Sequence, residues 1–79
     1  MNDHEFQHKL TSVFRDVFDD EDLVLRPDLT AEDVDSWDSL SNLRLMLTIE
    51  KTFKMKFTAS EIAKLKNVGD LEGLIRSKL

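Results

Sequence analysis

The sequence lacks cysteine and tyrosine, and it has only one proline and two glycines among 79 residues. Without cysteine it has no disulfide, no thiolate ligand for a metal ion and no thiol nucleophile of its own. With so few glycines and prolines, few positions interrupt regular structure. No stretch is apolar enough to predict a membrane span, and the acidic, polar residues 1–10 do not resemble a secretory signal. We therefore expect a cytoplasmic protein that does not act in a membrane.

What is present is typical of one small folded domain over residues 1–79. Hydrophobic residues make up 41% and charged residues 34% of the chain, which favours a packed core over disorder. The net charge of −5 is unevenly distributed. Residues 1–38 hold 12 acidic and 3 basic side chains, whereas residues 39–79 hold 4 acidic and 8 basic ones. The acidic half argues against nucleic-acid binding, which requires neutralisation of phosphates.

The first part of the chain predicts a helix followed by a long loop. Apolar side chains recur at helical spacing; they are Phe6, Leu10, Val13, Phe14, Val17 and Phe18. The acidic run at 19–22 should end this helix, because stacked carboxylates oppose the negative end of the helix dipole. Residues 20–38 then predict an ordered loop, an uncommon length that is often functional. Five apolar residues could pin it to the core: Leu23, Val24, Leu25, Leu29 and Val34.

A second helix is predicted from Asp38 or Ser39 to about Thr52. Its apolar arc is wide, and comprises Leu40, Leu43, Met46, Leu47, Ile49 and Phe53. An arc this wide predicts a central helix buried on several sides, with Leu45 partly exposed at the edge of the arc. The opposite arc is polar, and comprises Ser41, Arg44, Thr48, Lys51 and Thr52. Glu50 falls inside the apolar arc without a reason visible in the sequence.

The last part predicts a short helix and a final helix. Thr58 and Glu61 form a capping-box pattern at the start of a helix within residues 57–65. Asn67 is a good cap for a helix over residues 67–79. Leu71, Leu74 and Ile75 define its apolar face, with Leu79 close to it. The predicted fold is all-α: a four-helix bundle with a long loop between helices 1 and 2 and a short helix 3.

Two serines near the start of the second helix are the candidate functional residues. Ser39 lies in the run Asp38-Ser39-Leu40, and Ser36 lies before Trp37. Each could simply cap a helix. Either could instead be a site of chemistry. Ser36 is the weaker candidate, since it lies before the helix.

The order of elements, with Asp38-Ser39-Leu40 at the start of helix 2, resembles stand-alone acyl or peptidyl carrier proteins. The resemblance extends from Phe6 to Ile75. It implies that the chain is not an enzyme but is modified at Ser39 with 4′-phosphopantetheine from coenzyme A, whose thiol holds an acyl or aminoacyl group as a thioester. It further implies that Asp38 is the acidic partner for the modifying enzyme, and that Leu40 completes the motif. Ser39 at a helix start also suits an adjacent phosphodiester.

The resemblance also implies partners and a monomeric state. The partners are a phosphopantetheinyl transferase, an acyl- or aminoacyl-activating ligase, and a downstream transferase or synthase. Carriers of bacterial fatty acid synthesis show acidic residues on the exposed face of helix 2, whereas this chain has Arg44, Thr48 and Lys51 there. Because charge affects partner choice, this difference favours a specialised biosynthetic carrier. The alternative is a small helical interaction module without a prosthetic group, in which Ser39 only caps a helix.

Other residues carry weaker hypotheses. His4 and His8 could share a helix face, but no third metal ligand follows at a defined spacing. The acidic run at 19–22 lacks the alternating ligands of a calcium loop, and a solvated charge run is favoured, so no metal site is predicted. Trp37 could pack the loop on the bundle or face a partner, and packing is favoured. Met46 and Leu47 are predicted to be core residues that could also border a cargo cavity.

Overall fold

The computed structural model describes residues 2–79, which form four α-helices and one short 3₁₀ turn. The helices are α1 (Asp3–Phe18), α2 (Ser39–Phe53), α3 (Ala59–Ala63) and α4 (Val68–Lys78), and the 3₁₀ turn is Ala31–Asp33. No strand occurs within residues 2–79. The predicted all-α fold, with a long loop before helix 2 and a short helix 3, is confirmed. The 3₁₀ turn was not predicted.

Helix α1 presents one buried face, as its spacing predicts. All six of its predicted apolar residues are buried. The Asn2 side chain caps its start by accepting a hydrogen bond from the Glu5 N–H at 2.8 Å. The helix ends at Asp19, whose backbone is left-handed with φ of 51°. Aspartate tolerates this conformation better than most residues, so the acidic run begins where the helix stops.

Helix α2 buries a narrower face than the sequence predicts. Leu45, Met46, Ile49 and Phe53 are buried. The prediction that Leu45 is partly exposed is wrong, because this residue is completely buried. The predictions that three other leucines lie in the core are also wrong, because they are half exposed or more: Leu40 at 69%, Leu43 at 55% and Leu47 at 51%. The physical reason is that α2 packs mainly against α1, which covers one side of a helix that is apolar on two.

The polar contacts after α2 explain why Glu50 lies within the apolar arc of this helix. Its carboxylate accepts a hydrogen bond from the Phe57 N–H at 2.7 Å. Lys54 ends the helix in a left-handed conformation with φ of 56°, and the Met55 N–H returns to the Glu50 carbonyl at 3.0 Å. Glu50 therefore holds the connection to α3, a role that no helical periodicity reveals.

The long loop between α1 and α2 is fixed at several points. Its Leu29 side chain is buried, with 5% exposed. Two backbone bonds join the loop to the start of α4: Val68 N–H to the Leu29 carbonyl at 2.9 Å, and Gly69 N–H to the Pro27 carbonyl at 2.8 Å. Val24 is 66% exposed, so the prediction that it helps to pin the loop is wrong. The apolar residues on either side of it do pack against the core.

Helices α3 and α4 begin where the capping residues predict. Thr58 and Glu61 form the reciprocal capping box, and Asn67 accepts from the Asp70 N–H at 2.8 Å. Helix α3 is shorter than predicted. Leu79 is 58% exposed rather than on the buried face of α4. None of the helices within residues 2–79 has the length and apolar character needed to cross a membrane.

Candidate functional site

The start of α2 is a well-capped helix terminus that exposes Ser39. Asp38 is the N-cap, and its side chain accepts a hydrogen bond from the Ser41 N–H at 2.9 Å. The Asp38 carbonyl accepts from the Asn42 N–H at 2.8 Å, which begins the helical ladder. Ser39 is the first helical residue and is exposed to solvent. Asp38 therefore caps the helix, and the Ser39 hydroxyl takes no part in capping.

The electrostatics of this terminus favour an ionised Asp38. The Ser41 backbone N–H, followed by the Ser41 hydroxyl, lowers the pKa of the Asp38 carboxyl below its ordinary value. Hydrogen bonds to the charged form stabilise that form. A negative charge therefore stands directly beside the exposed serine.

Trp37 fixes the loop that leads into this terminus. Its ring packs against two α1 rings, with centroid distances of 5.6 Å to Phe14 and 5.5 Å to Phe18. Its indole Nε1–H donates to the Asn42 side-chain oxygen at 3.0 Å. The prediction that Trp37 packs the loop on the bundle is confirmed. Its bond to Asn42 was not foreseen, because sequence spacing does not show which polar atom a loop tryptophan meets.

A groove of about 420 Å³ lies beside Ser39. Its lining combines the helix start with apolar residues from three helices, and comprises Ala31, Trp37, Asp38, Ser39, Asn42, Met46, Ile62, Leu65, Lys66, Asn67 and Leu71. The prediction that Met46 is a core residue is confirmed, and its side chain also lines this groove. Leu47 is not in this lining. Sequence reasoning missed the α3 and α4 contributions, since their approach to α2 depends on how the helices pack.

Ser36 does not share this groove. It lies with Phe18, Leu23 and Val34 at a separate depression of the loop. Its carbonyl accepts from the Asp38 N–H at 3.2 Å, which places Ser36 in the turn before α2. Of the two candidate serines, Ser39 alone is brought beside the groove.

The outer surface of α2 combines cations with exposed leucines. Arg44 and Lys51 are exposed, as the sequence predicts. Thr48 is half-buried, and its hydroxyl donates to the Arg44 carbonyl at 2.7 Å. We call the exposed side chains of Leu40, Leu43 and Leu47 the leucine ridge. The sequence shows that these three leucines share one helix face. It predicts that this face is buried, whereas the structure exposes it.

The weaker hypotheses gain no support. His4 and His8 are exposed on α1. No group of three or more candidate metal ligands lies close together among residues 2–79. The acidic run is exposed, and the Asp20 carboxylate accepts from the Asp22 N–H at 3.0 Å, which is a local turn contact.

The fold and the site define a class of protein. Ser39 is exposed, and within residues 2–79 its hydroxyl has no hydrogen bond to a histidine or carboxylate, the kind of contact that activates a serine nucleophile. It is, however, open to modification by another protein. A small helical bundle that exposes such a serine at a helix start, beside a groove, has the arrangement of a covalently modified carrier domain.

Comparison with solved structures identifies the family. The chain is similar to the solution NMR structure of holo acyl carrier protein from Geobacter metallireducens. The two are 47% identical over 91% of this chain and 83% of that chain, with a TM-score of 0.86. No family model matches the chain, and no curated protein matches it either. The chain belongs to the acyl carrier protein family, and it is a carrier rather than an enzyme.

Proposed function

We propose that this protein carries an acyl or aminoacyl group as a thioester on a 4′-phosphopantetheine arm attached to Ser39, and presents it to partner enzymes. The observation that carries the proposal is the exposure of Ser39 as the first residue of α2, on the edge of the groove. The similarity to a holo acyl carrier protein supports it. We propose that residues 1–79 act as a single carrier domain.

The residues at the start of α2 fit such an arm. The chain has no cysteine, so a bound arm would supply the thiol that thioester chemistry requires. The Ser39 hydroxyl is unburied and not engaged in capping. A helix N-terminus favours an adjacent phosphate, because its first N–H groups and the positive end of the helix dipole point there. The groove beside Ser39 offers space for the arm and its cargo.

Asp38 and Leu40 flank the attachment residue and take different roles in this proposal. Asp38 stays ionised beside Ser39 and serves the phosphopantetheinyl transferase and its metal ion, while it also caps the helix. Leu40 is highly exposed and offers that enzyme an apolar contact. Both roles use only atoms that the fold leaves accessible.

We propose the outer surface of α2 as the surface where partner enzymes dock. It offers the leucine ridge for apolar burial and the cations Arg44 and Lys51 for charge complementarity. Exposed apolar patches bordered by polar groups mark interaction sites. Thr48 lies between the two cations, but its hydroxyl is held by the Arg44 carbonyl, so it contributes shape more than hydrogen bonding.

The charge of this surface supports a specialised pathway. Partner enzymes with neutral or acidic docking surfaces suit Arg44 and Lys51, whereas enzymes with basic patches do not. We propose that the activating ligase and the downstream transferase or synthase have neutral or acidic docking surfaces. Two leucine ridges facing each other would bring the cations of both copies together, which supports a monomer. The cytoplasmic location stays a prediction.

A thiol titration tests the proposal because the unmodified chain has no thiol. Wild type is co-expressed with a broad-specificity phosphopantetheinyl transferase, purified, and assayed with a thiol reagent under denaturing conditions. We expect a single thiol per chain in wild type and in Ser36→Ala, and no thiol in Ser39→Ala. A folded wild type without a thiol would favour the alternative, an interaction module with no prosthetic group.

A further inference from the structure

Lys66 is the one positively charged residue among the described residues that line the groove beside Ser39. It lies in the connection between α3 and α4, whereas Ser39 begins α2, so two different elements bring these residues to one groove. Lys66 is exposed and takes part in none of the ion pairs within residues 2–79. Its ammonium group is therefore available to an anion that enters the groove.

The acidic side chains near Lys66 are engaged by backbone N–H groups. Asp38 is the one acidic residue in the described lining, and its carboxylate accepts the Ser41 N–H. The Asp70 carboxylate accepts the Lys66 backbone N–H at 3.1 Å. Asp70 lines a neighbouring depression, which Lys66 also borders, but it does not line this groove. Neither carboxylate forms an ion pair with the Lys66 ammonium within residues 2–79.

The other walls of the groove supply an apolar surface next to this cation. Met46 and Leu71 are almost completely buried, Ile62 and Leu65 pack partly buried against the core, and all four line the groove. Alkyl carbons gain free energy when they leave water for such a surface. A charge beside an apolar surface also acts on a counter-charge more strongly than it does in open water. The groove therefore suits a ligand that has an apolar chain and a negative end.

We propose that Lys66 pairs with a carboxylate on the cargo, and that this carrier is suited to acyl groups that bear a second carboxylate, such as the half-thioester of a dicarboxylic acid. The inference rests on the proposed function, since the cargo reaches the groove from an arm on Ser39. The phosphate of the arm is a different anion. It is bonded to Ser39 itself, where the first N–H groups of α2 favour it, so Lys66 stays available to the cargo.

The test measures the pKa of a cargo carboxylate by NMR spectroscopy. A glutaryl group with an isotope-labelled free carboxylate is joined by an amide bond to a coenzyme A analogue, from which a broad-specificity phosphopantetheinyl transferase transfers the loaded arm to Ser39. We expect the pKa of this carboxylate to be lower on the wild-type carrier than on the analogue in solution, because a nearby cation favours the charged form. The difference should shrink at high salt.

Two lysine variants locate the effect. Lys66→Met keeps a straight side chain without the charge, and it should abolish the difference in carboxylate pKa. Lys64→Met is the matched control, because Lys64 is also exposed near the end of α3 but does not line the groove. It should leave the difference intact. A carboxylate pKa that is equal in wild type and Lys66→Met, or that changes equally in both variants, would overturn the inference.

A neutral cargo tests whether the charge places the chain in the groove. Glutaramyl has nearly the same shape as glutaryl but ends in an amide. In wild type, nuclear Overhauser effects from the cargo to the Met46 and Ile62 methyl groups should be stronger for glutaryl than for glutaramyl. In Lys66→Met the two cargoes should give equal effects. Stronger glutaryl contacts that persist in Lys66→Met would contradict the pairing.

The remaining measurements separate this inference from the function on which it rests. Intact-mass analysis establishes that each sample carries the loaded arm, and far-ultraviolet circular dichroism establishes that each variant is folded. A phosphorus resonance of the arm that responds to Lys66→Met, with an unchanged carboxylate pKa, would assign Lys66 to the arm phosphate and overturn this inference alone. A folded wild type that never accepts the arm would overturn the proposed function itself.

Discussion

Leu43 and Leu45 lie two positions apart on α2 and have opposite environments. Leu45 is fully buried, whereas Leu43 is 55% exposed. Leu45→Ala should therefore cost about 2–5 kcal/mol of unfolding free energy, as truncation of buried leucines does. Leu43→Ala should change it by no more than about 0.5 kcal/mol, as surface substitutions do. Urea unfolding of the two variants and wild type measures both values. Equal destabilisation by the two substitutions would show that the buried face of α2 is misassigned.

Two capping carboxylates predict how stability depends on pH. Hydrogen bonds lower the pKa of Asp38 and Glu61, the first mainly through the Ser41 N–H and the second mainly through the Thr58 N–H. A carboxyl with a lowered pKa in the folded state stabilises the fold above its unfolded-state value of 3.8 or 4.5. This contribution is lost as the pH falls through the folded-state pKa.

Asp38→Asn isolates one of these contributions, since asparagine is also a good N-cap but does not titrate. We expect it to lose less stability than wild type between about pH 7 and about pH 3, because it lacks the Asp38 titration. Glu61→Gln should show the same behaviour at the start of α3. Urea unfolding at several pH values measures the difference. Parallel curves for wild type and both variants would contradict the assignment of these pKa shifts.

The starts of the helices could be predicted from the sequence more fully than their buried faces. Caps are local, so Asp38, Thr58 and Asn67 predicted helix starts that the structure confirms. The α1 face was also predictable, because its apolar residues form one stripe. Helix α2 is apolar on two faces, and periodicity cannot decide which face the other helices cover. The groove beside Ser39 was beyond prediction for the same reason, since α3 and α4 supply part of its lining.

At the scale of elements, the attachment of the loop to α4 depends on a close approach at Gly69. A Cβ added there would lie 3.0 Å from the Pro27 carbonyl oxygen, which accepts the Gly69 N–H. Gly73 is the matched control, because a Cβ there meets nothing within 4 Å. Gly73→Ala should raise the unfolding free energy by about 0.5–1 kcal/mol, the usual gain within a helix.

Gly69→Ala should give none of this gain, because the new methyl group pushes the Pro27 carbonyl away and weakens its hydrogen bond. Thermal unfolding of the two variants tests the contrast. The hydrogen-exchange rates of the Gly69 and Val68 amides in wild type provide the reference values for the two hydrogen bonds that join the loop to α4. A Gly69→Ala protein stabilised as much as Gly73→Ala would show that the loop does not rest on α4 as described.

At the scale of the whole molecule, charge is divided between the two halves of the chain. Arg44 and Lys51 lie in residues 39–79, where basic side chains outnumber acidic ones, so the proposed docking surface has a sign opposite to the net charge of −5. Replacing Arg44 and Lys51 together with Glu should slow loading by a partner ligase of this carrier, mainly through association and more strongly at low salt. It should improve use by fatty acid synthase enzymes with basic docking patches.

The control for this prediction is Lys9→Glu with Arg26→Glu, which makes the same change in net charge away from α2. Loading rates at two salt concentrations compare the two double variants with wild type. Equal effects of both variants would assign the response to net charge rather than to a docking surface. Efficient use of wild type by fatty acid synthase enzymes, unchanged by the α2 variant, would contradict a specialised pathway.

The central claim is that Ser39 carries the arm, and fragmentation mass spectrometry of the intact protein tests it most directly. Wild type, Ser39→Ala and Ser36→Ala are each co-expressed with a broad-specificity phosphopantetheinyl transferase and sequenced by fragmentation. The account predicts one phosphopantetheine on Ser39 in wild type and in Ser36→Ala, and none in a folded Ser39→Ala. An adduct located on another residue, or a folded wild type that never gains one, would contradict it.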